Sequence, residues 1–147
     1  SAVVQAVADT HALQALQKEC PAVYVDPSLI QYAGKLVSAT RTPARYDLAD
    51  LAKYMSFGAS PRATIGMVEG ARALAMLRGR SYALPEDMVD LVPDVLRHRL
   101  VLSYEALADN LTADQIVQRV MQKIGTPDKP MAHAPAPAHD NGNALHA

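Results

Sequence analysis

Apolar residues recur every three or four positions along most of the chain, which is the spacing that lines one face of an α-helix. The pattern predicts helices over about 10–20, 27–41, 61–78, 85–99 and 113–124. Short apolar runs at 23–25 and 100–102 are predicted to be extended instead. The pattern therefore indicates an all-α fold, a small helical bundle of four to five main helices with short extended segments.

Start and stop residues support the predicted helix bounds. Asp9, or the residue after it, can cap the first helix, and Asp26 can cap the second, where Pro27 fits the first helical position. The last helix begins with the spacing of a capping box, Thr112 and Gln115. The helices are predicted to end at Pro21, Pro43, Gly79 and Gly125.

The faces of these helices predict which residues are buried. Leu13 and Leu16 form the apolar face of the first helix. The third helix has apolar residues around most of its circumference, including Ile65 and Leu77, which predicts a central helix buried on most sides. Pro93 is expected to kink or split the fourth helix, because it lacks a backbone N–H and its ring clashes with the preceding turn.

The composition changes at about residue 125. Residues 1–125 are predicted to form one helical domain, which is entered by an extended lead-in over 1–9. Between the second and third helices, Asp47 is predicted to cap a short helical stretch. Residues 126–147 are rich in Pro, Ala and His and nearly lack large apolar side chains, so a disordered tail is expected. The chain does not begin with Met, and we expect it to be part of a longer protein.

Charge and cysteine content argue against several classes of function. The net charge is −1 at pH 7, so no overall field directs the chain to nucleic acid or to an anionic membrane surface. Cys20 is the one cysteine and its nearest histidine is His11, so neither an internal disulfide nor a metal site is expected. No apolar run approaches the roughly 20 residues of a membrane span. A reducing, cytoplasmic location is expected.

The stretch from Gly58 to Arg62 is the clearest candidate for chemistry. Gly58 allows a sharp turn, Ser60 can cap the following helix, and Pro61 fits the first helical position. Arg62 then lies in the first turn, beside backbone N–H groups expected to be free, where the helix dipole disfavours a cation by about 0.3–1 kcal/mol. An arginine in that place indicates an anionic ligand, and phosphate is the commonest.

Other interpretations stay open from the residues alone. Arg62 can be an ordinary surface arginine, and the chain can be a helical protein-interaction module with no nucleotide role. A third hypothesis is a small nucleic-acid-binding domain that uses Arg78, Arg80, Arg97 and Arg99. The chain has neither a P-loop sequence nor a G-x-S-x-G elbow, so it is not expected to be an enzyme on its own.

Five segments of the chain occur in the order typical of one protein family. They are Val25–Tyr32, Leu36–Arg41, Gly58–Ala63, Arg78–Met88 and Asp94–Glu105. Together they resemble the C-terminal lid of MoxR-type AAA+ ATPases, and the resemblance extends over about residues 9–124. The stretch from 43 to 57 is longer than is typical of that family.

The resemblance implies a role for Arg62. In this family the matching arginine is sensor 2, which reaches from the lid to the phosphates of ATP bound by the preceding α/β core. Gly58, Ser60 and Pro61 belong to the same motif and are implied to lie at the nucleotide. ATP and Mg²⁺ are implied as cofactors of a full-length protein. The P-loop, the Mg²⁺-binding motif and sensor 1 are absent from this chain, so no firm binding by the chain alone is expected.

The resemblance also implies partners and an activity for the whole protein. The implied partners are its own AAA+ core, neighbouring subunits of a hexameric ring and proteins with a von Willebrand factor A domain. Neither nucleic acid nor membrane insertion is implied. The implied activity is ATP hydrolysis coupled to chaperone-like remodelling or to the insertion of a metal cofactor.

Overall fold

The computed structural model describes residues 4–128, so the start of the predicted lead-in and most of the predicted tail lie outside the described residues. The α-helices in this range are α1 (Thr10–Glu19), α2 (Pro27–Arg41), α3 (Arg62–Leu77), α4 (Pro85–Leu96), α5 (Tyr104–Ala108) and α6 (Ala113–Ile124). The strands are β1 (Met55–Phe57) and β2 (Val101–Leu102). Short 3₁₀ turns occupy Cys20–Ala22, Pro43–Tyr46, Ala49–Tyr54 and Arg97–Arg99. The predicted all-α class is confirmed.

A core shared by α2, α3, α4 and α6 holds the bundle together. The helix α3 packs between α2 and α4, and α6 packs against the same two helices. The largest fully buried side chains of these helices include Leu29, Leu36, Met67, Met88, Val92 and Ile116. Burying each such side chain contributes about 1.5–3 kcal/mol, which makes this core the main source of stability.

The predicted helix starts are confirmed by side-chain hydrogen bonds. The Asp9 carboxylate accepts a backbone N–H three residues further on at 2.7 Å, at the start of α1. Asp26 accepts a backbone N–H at 2.8 Å at the start of α2. Before α6, Thr112 and Gln115 form both bonds of the capping box, at 3.2 and 2.8 Å. These bonds satisfy N–H groups that a helix would otherwise leave unpaired.

Some residues predicted to be buried are exposed. Leu13 and Leu16 of α1 are 53% and 43% exposed, and α1 buries no residue. In α3, Ile65 and Leu77 are 63% and 75% exposed, although most other residues of this central helix are buried or partly buried, as predicted. The fully buried residues of α3 form one stripe at four-residue spacing: Ala63, Met67, Ala71 and Ala75. A helix with such small side chains on its inner face can lie close to its neighbours.

The segment between α2 and α3 contains elements that the apolar pattern does not predict. The strand β1 pairs with β2 in an antiparallel two-stranded sheet, which ties this segment to the end of α4. Asp47 does not cap the helical stretch after it. Its left-handed φ of 52° ends the preceding turn, and the next turn begins after Leu48. The short helix α5, capped by Ser103, is a further unpredicted element.

The loop between α3 and α4 is anchored to the segment before α2. Tyr24 forms an isolated parallel bridge with Tyr82, flanked by backbone hydrogen bonds of 2.9 and 2.8 Å. The helix α4 continues through Pro93 to Leu96, so Pro93 does not split it. No helix within residues 4–128 has both the length and the apolar character needed to cross a membrane.

Candidate functional site

Arg62 is the first residue of α3 and is exposed. The chain turns into the helix at Ser60, whose hydroxyl oxygen accepts the backbone N–H of Arg62 at 3.3 Å. Pro61 already has helical angles, φ −53° and ψ −26°, although the regular helix begins one residue later than predicted. The Ser60 hydroxyl thus bonds the first amide of α3 although Pro61, and not Ser60, is the N-cap residue, and Ser60, Pro61 and Arg62 are all exposed to solvent.

The guanidinium of Arg62 has no hydrogen-bond or ion-pair partner among residues 4–128. Arg45 and Arg99 are likewise exposed and unpaired within residues 4–128, whereas two other exposed arginines form ion pairs. Arg119 pairs with Asp50 at 2.7 Å, and Arg97 pairs with Asp114 at 2.7 Å. An unpaired cation at the positive end of a helix dipole lies at an electrostatic cost of about 0.3–1 kcal/mol. An anion supplied from outside the described residues would offset that cost.

The backbone amides of the first turn of α3 are not free, so the expectation of exposed donors there is wrong. The N–H of Arg62 is bonded to Ser60, as described. The N–H of Ala63 donates to the carbonyl of Ser60 at 2.8 Å, and that of Thr64 to the carbonyl of Pro61 at 3.1 Å. These bonds occupy donors that a helix N-terminus can offer to an anion. The amides of residues 62–64 are therefore not available to an anion, whereas the side chain of Arg62 is exposed.

The turn before Arg62 is held against the C-terminal end of α2. Ala59 is fully buried, and its N–H donates to the hydroxyl oxygen of Thr40 at 3.0 Å. That hydroxyl donates in turn to the carbonyl of Val37 at 2.7 Å. The carbonyl of Ala59 accepts from the guanidinium of Arg41 at 3.4 Å. Thr40 and Arg41, which are consecutive in α2, thus bond the N–H and the carbonyl of the buried Ala59.

Position 58 requires glycine because its backbone packs closely against α2. The sharp turn predicted at Gly58 does not explain this requirement. A Cβ atom at this position would lie 2.3 Å from the carbonyl oxygen of Thr40 and 2.8 Å from the backbone nitrogen of Arg41. Because both are backbone atoms, no side-chain rotation relieves the contact. The φ of Gly58 is outside the left-handed range, which Gly79 and Gly125 adopt. Any side chain at position 58 would push the turn away from α2.

Further arginines lie around the start of α3. Arg41 and Arg45 line a groove of about 300 Å³ beside the first turn of this helix. One turn after Arg62, the guanidinium of Arg99 lies over Gly66, where a Cβ atom would be 3.7 Å from Nη2. This concentration of positive charge favours an anionic ligand over a cationic one.

The arginines of the nucleic-acid hypothesis are mostly engaged in ion pairs. Arg78 and Arg80 both bind the carboxylate of Asp87, at 2.8 and 2.6 Å, and Asp87 is fully buried. Arg97 pairs with two aspartates, at 3.0 and 2.7 Å. Within residues 4–128, Arg99 alone of this set lacks an acidic partner. Within residues 4–128, the four arginines of this hypothesis therefore do not form a continuous unpaired basic surface of the kind that binds nucleic acid.

Residues 4–128 contain no group of His, Cys, Asp and Glu side chains that could hold a metal ion. Cys20 is a free, partly buried thiol, and His11 is exposed. The histidines of the predicted tail, to which an adventitious metal could bind, lie outside the described residues: His133, His139 and His146.

Thr40 and Arg41 belong to this site although the apolar pattern does not reveal them. They lie in the last turn of α2, where neither spacing nor charge distinguishes them from ordinary helix residues. Their contact with Ala59 joins positions 18 and 19 residues apart, which no local pattern reports. The sequence signal that includes them is the segment Leu36–Arg41, one of those that carry the family resemblance.

Comparison with known proteins gives matches along most of the chain. Residues 49–120 match the family described as the AAA lid domain. The chaperone MoxR1 of Mycobacterium tuberculosis H37Rv is 41% identical over 121 residues, which cover 82% of this chain and 32% of that protein. The uncharacterized protein YeaC of Bacillus subtilis is 33% identical over 112 residues, covering 76% and 32% respectively. A solved structure from Cytophaga hutchinsonii has a TM-score of 0.73 and 38% identity, over 76% of this chain and 34% of that one.

The helical bundle and these matches define the chain as an AAA lid domain. It belongs to the MoxR-type AAA+ ATPases and represents their lid. The chain spans about a third of the length of the relatives it matches. The activity, cofactors and partners of a whole protein are therefore matters of proposal.

Proposed function

We propose that this lid domain closes over ATP bound by an AAA+ core, and that Arg62 contacts the ATP phosphates as the sensor 2 arginine. The observation that carries the proposal is the exposed guanidinium of Arg62, which has no partner among residues 4–128. Arginine suits phosphate because it is always charged and donates hydrogen bonds in a planar fork. In this proposal Ser60 and Pro61 set the start of the helix at the nucleotide, and Gly58 keeps the turn in place.

Contact with the γ-phosphate would give Arg62 two effects. The guanidinium stabilises negative charge on the phosphoryl group that is transferred, which assists hydrolysis. It also makes the position of the lid depend on the nucleotide, because the contact exists before hydrolysis and is lost after it. Since the amides at residues 62–64 have internal partners, the side chain provides both effects.

In this proposal ATP and Mg²⁺ bind to the full-length protein, whose core carries the P-loop and the Mg²⁺ ligands. The proposed partners are that core, neighbouring subunits of a hexameric ring and von Willebrand factor A domain proteins. The exposed apolar side chains Leu13 and Leu16 of α1 support contact with another protein surface. The proposed work of the assembly is chaperone-like remodelling or cofactor insertion, in the cytoplasm.

Replacing Arg62 with alanine in the full-length protein is expected to lower ATP turnover at saturating ATP by at least about tenfold, because one charge-stabilising donor is lost. Phosphate release measures this turnover. Arg119→Ala is the matched control, since it removes an equal charge from a surface arginine that pairs with Asp50. Wild-type turnover in Arg62→Ala would overturn the sensor proposal and favour an interaction module without a nucleotide role.

The stability of Arg62→Ala shows whether Arg62 has a functional or a structural role. In the isolated chain, Arg62→Ala is expected to leave the free energy of unfolding unchanged or to raise it by up to about 1 kcal/mol, because it removes a cation from the positive end of a helix dipole. Urea unfolding measures this change. A loss of stability would show that Arg62 supports the fold.

A further inference from the structure

We infer that Thr40 is a positioning residue for Arg62, because its hydroxyl holds the backbone of Ala59 and thereby the start of α3. This inference rests on the proposed role of Arg62 and extends that role to a buried residue on another helix. It also gives a role to Thr40 and Arg41, which lie in one of the segments that carry the family resemblance but have no role implied by it.

Thr40 is 2% exposed, and its hydroxyl both donates and accepts a hydrogen bond. It donates to the carbonyl of Val37 at 2.7 Å and accepts the N–H of Ala59 at 3.0 Å. A hydroxyl has a single proton, so the bond to Val37 directs a lone pair toward Ala59. A buried backbone N–H needs an acceptor, and Thr40 provides it.

Two further contacts hold the same point of the chain. The guanidinium of Arg41 donates to the carbonyl of Ala59 at 3.4 Å. The backbone of Gly58 lies so close to Thr40 that a Cβ atom there would be 2.3 Å from its carbonyl oxygen. Ala59 therefore cannot move away from α2 without breaking the hydroxyl bond, the guanidinium bond and this close contact.

The connection from Ala59 to Arg62 has little freedom. Pro61 has its φ fixed by its ring, at −53°. The residue before it, Ser60, is held on both sides of the turn: its hydroxyl accepts the N–H of Arg62 and its carbonyl accepts that of Ala63. A displacement of Ala59 therefore moves the start of α3 as a unit, together with the guanidinium. Misplacing a catalytic group by about 1 Å can cost a factor of about 100 in rate.

The competing explanation is that Thr40 only stabilises the fold, as a buried and fully bonded threonine also does. The two roles differ in how the effect of Thr40 combines with that of Arg62. A positioning residue acts through Arg62, so its loss has no further effect on turnover once Arg62 is gone. A purely structural residue lowers turnover independently, and its effect multiplies with that of Arg62.

The test measures kcat and KM for ATP hydrolysis, together with Tm, in the full-length protein carrying Thr40→Val, Thr40→Ser or Thr40→Val with Arg62→Ala. Valine keeps the shape of the side chain without the hydroxyl, whereas serine keeps the hydroxyl. Thr40→Val is expected to lower kcat by about tenfold through misplacement of Arg62. Thr40→Ser is expected to restore turnover, and the double variant to be no slower than Arg62→Ala alone.

Thr42→Val is the matched control. The hydroxyl of Thr42 donates to the carbonyl of Ser38 at 3.1 Å, so it makes the same kind of bond within the same helix end. It has no bond to Ala59, and its loss is expected to leave kcat at the wild-type value. Turnover is measured below the Tm of the least stable variant. Should Thr40→Val not fold, Thr40→Ala removes the same hydroxyl without adding a methyl group and takes its place.

Wild-type kcat in the variant that lacks the Thr40 hydroxyl would overturn the positioning role. So would an effect that multiplies with that of Arg62→Ala, and either result would leave the sensor proposal intact. Wild-type turnover in Arg62→Ala alone would instead remove the proposed function on which this inference rests.

Discussion

Gly58→Ala is expected to destabilise the chain by at least about 3 kcal/mol, because the new methyl group meets backbone that cannot rotate away. The Cβ atom would lie 2.3 Å from the carbonyl oxygen and 2.5 Å from the carbonyl carbon of Thr40. Relief requires the turn to leave α2, which breaks the buried bond between Thr40 and Ala59. Urea unfolding followed by circular dichroism measures the loss.

Gly34→Ala is the matched control for this substitution. Gly34 lies inside α2, and a Cβ atom there has no atom within 4 Å among its described surroundings. Alanine is expected to stabilise the chain by about 0.5–1 kcal/mol, since glycine is a poor residue in a helix interior. Equal effects of the two substitutions would mean that Gly58 is not in close contact with α2.

Asp87→Asn is expected to destabilise the chain by about 3 kcal/mol, because it removes the carboxylate that pairs with two arginines. Asp87 is fully buried and accepts from Arg78 and Arg80, at 2.8 and 2.6 Å, and from the backbone N–H of Leu84 at 2.7 Å. The side chain of Arg78 is 38% exposed and recovers some hydration, which keeps the loss at the lower end for a broken buried pair. Thermal unfolding measures it.

The control for this prediction is Asp94→Asn. Asp94 pairs with Arg97 at 3.0 Å, but both side chains are at least half exposed. An exposed pair contributes little, so the free energy of unfolding is expected to change by less than about 1 kcal/mol. A loss at Asp94 as large as that at Asp87 would contradict the assignment of the stability to the buried cluster.

Asp87 also makes the stability depend on pH in the acid range. Burial raises the pKa of this carboxyl, but the hydrogen bonds from Arg80, the Leu84 N–H and Arg78 outweigh burial and lower the pKa below its usual value. A lowered pKa in the folded state contributes stability that is present above the unfolded pKa of about 3.9 and is lost as the pH falls through the folded pKa. Asp87→Asn is therefore expected to show a shallower fall of Tm below pH 4. If the Tm of Asp87→Asn falls as steeply as that of the wild type, the acid sensitivity comes from other carboxylates.

The helix starts could be predicted from the sequence because capping is local. Asp9, Asp26 and the Thr112–Gln115 box each act within three residues, so the residues that form the bond also form the pattern. The position of Arg62 in the first turn followed from the same local logic. The bonding of the amides beside it was not predicted: the Ser60 hydroxyl accepts the N–H of Arg62, and backbone carbonyls accept those of Ala63 and Thr64.

The supports of the candidate site could not be predicted because they join distant segments. The bond from Ala59 to Thr40 spans 19 residues, and the strand pair β1–β2 joins elements on either side of α3 and α4. Apolar periodicity also shows that a helix face is suited to burial without showing what covers it. Leu13 and Ile65 lie on such faces and are exposed in this chain.

The contact between Arg62 and a phosphate of ATP can be observed directly. The most direct measurement is a structure of the full-length protein bound to a non-hydrolysable ATP analogue and Mg²⁺. A guanidinium nitrogen of Arg62 is expected about 2.7–2.9 Å from a phosphate oxygen of the nucleotide held by the core, which is the distance of a charge-assisted hydrogen bond. A closed lid in which Arg62 faces solvent or pairs with a protein carboxylate, while another side chain contacts the phosphates, would contradict it.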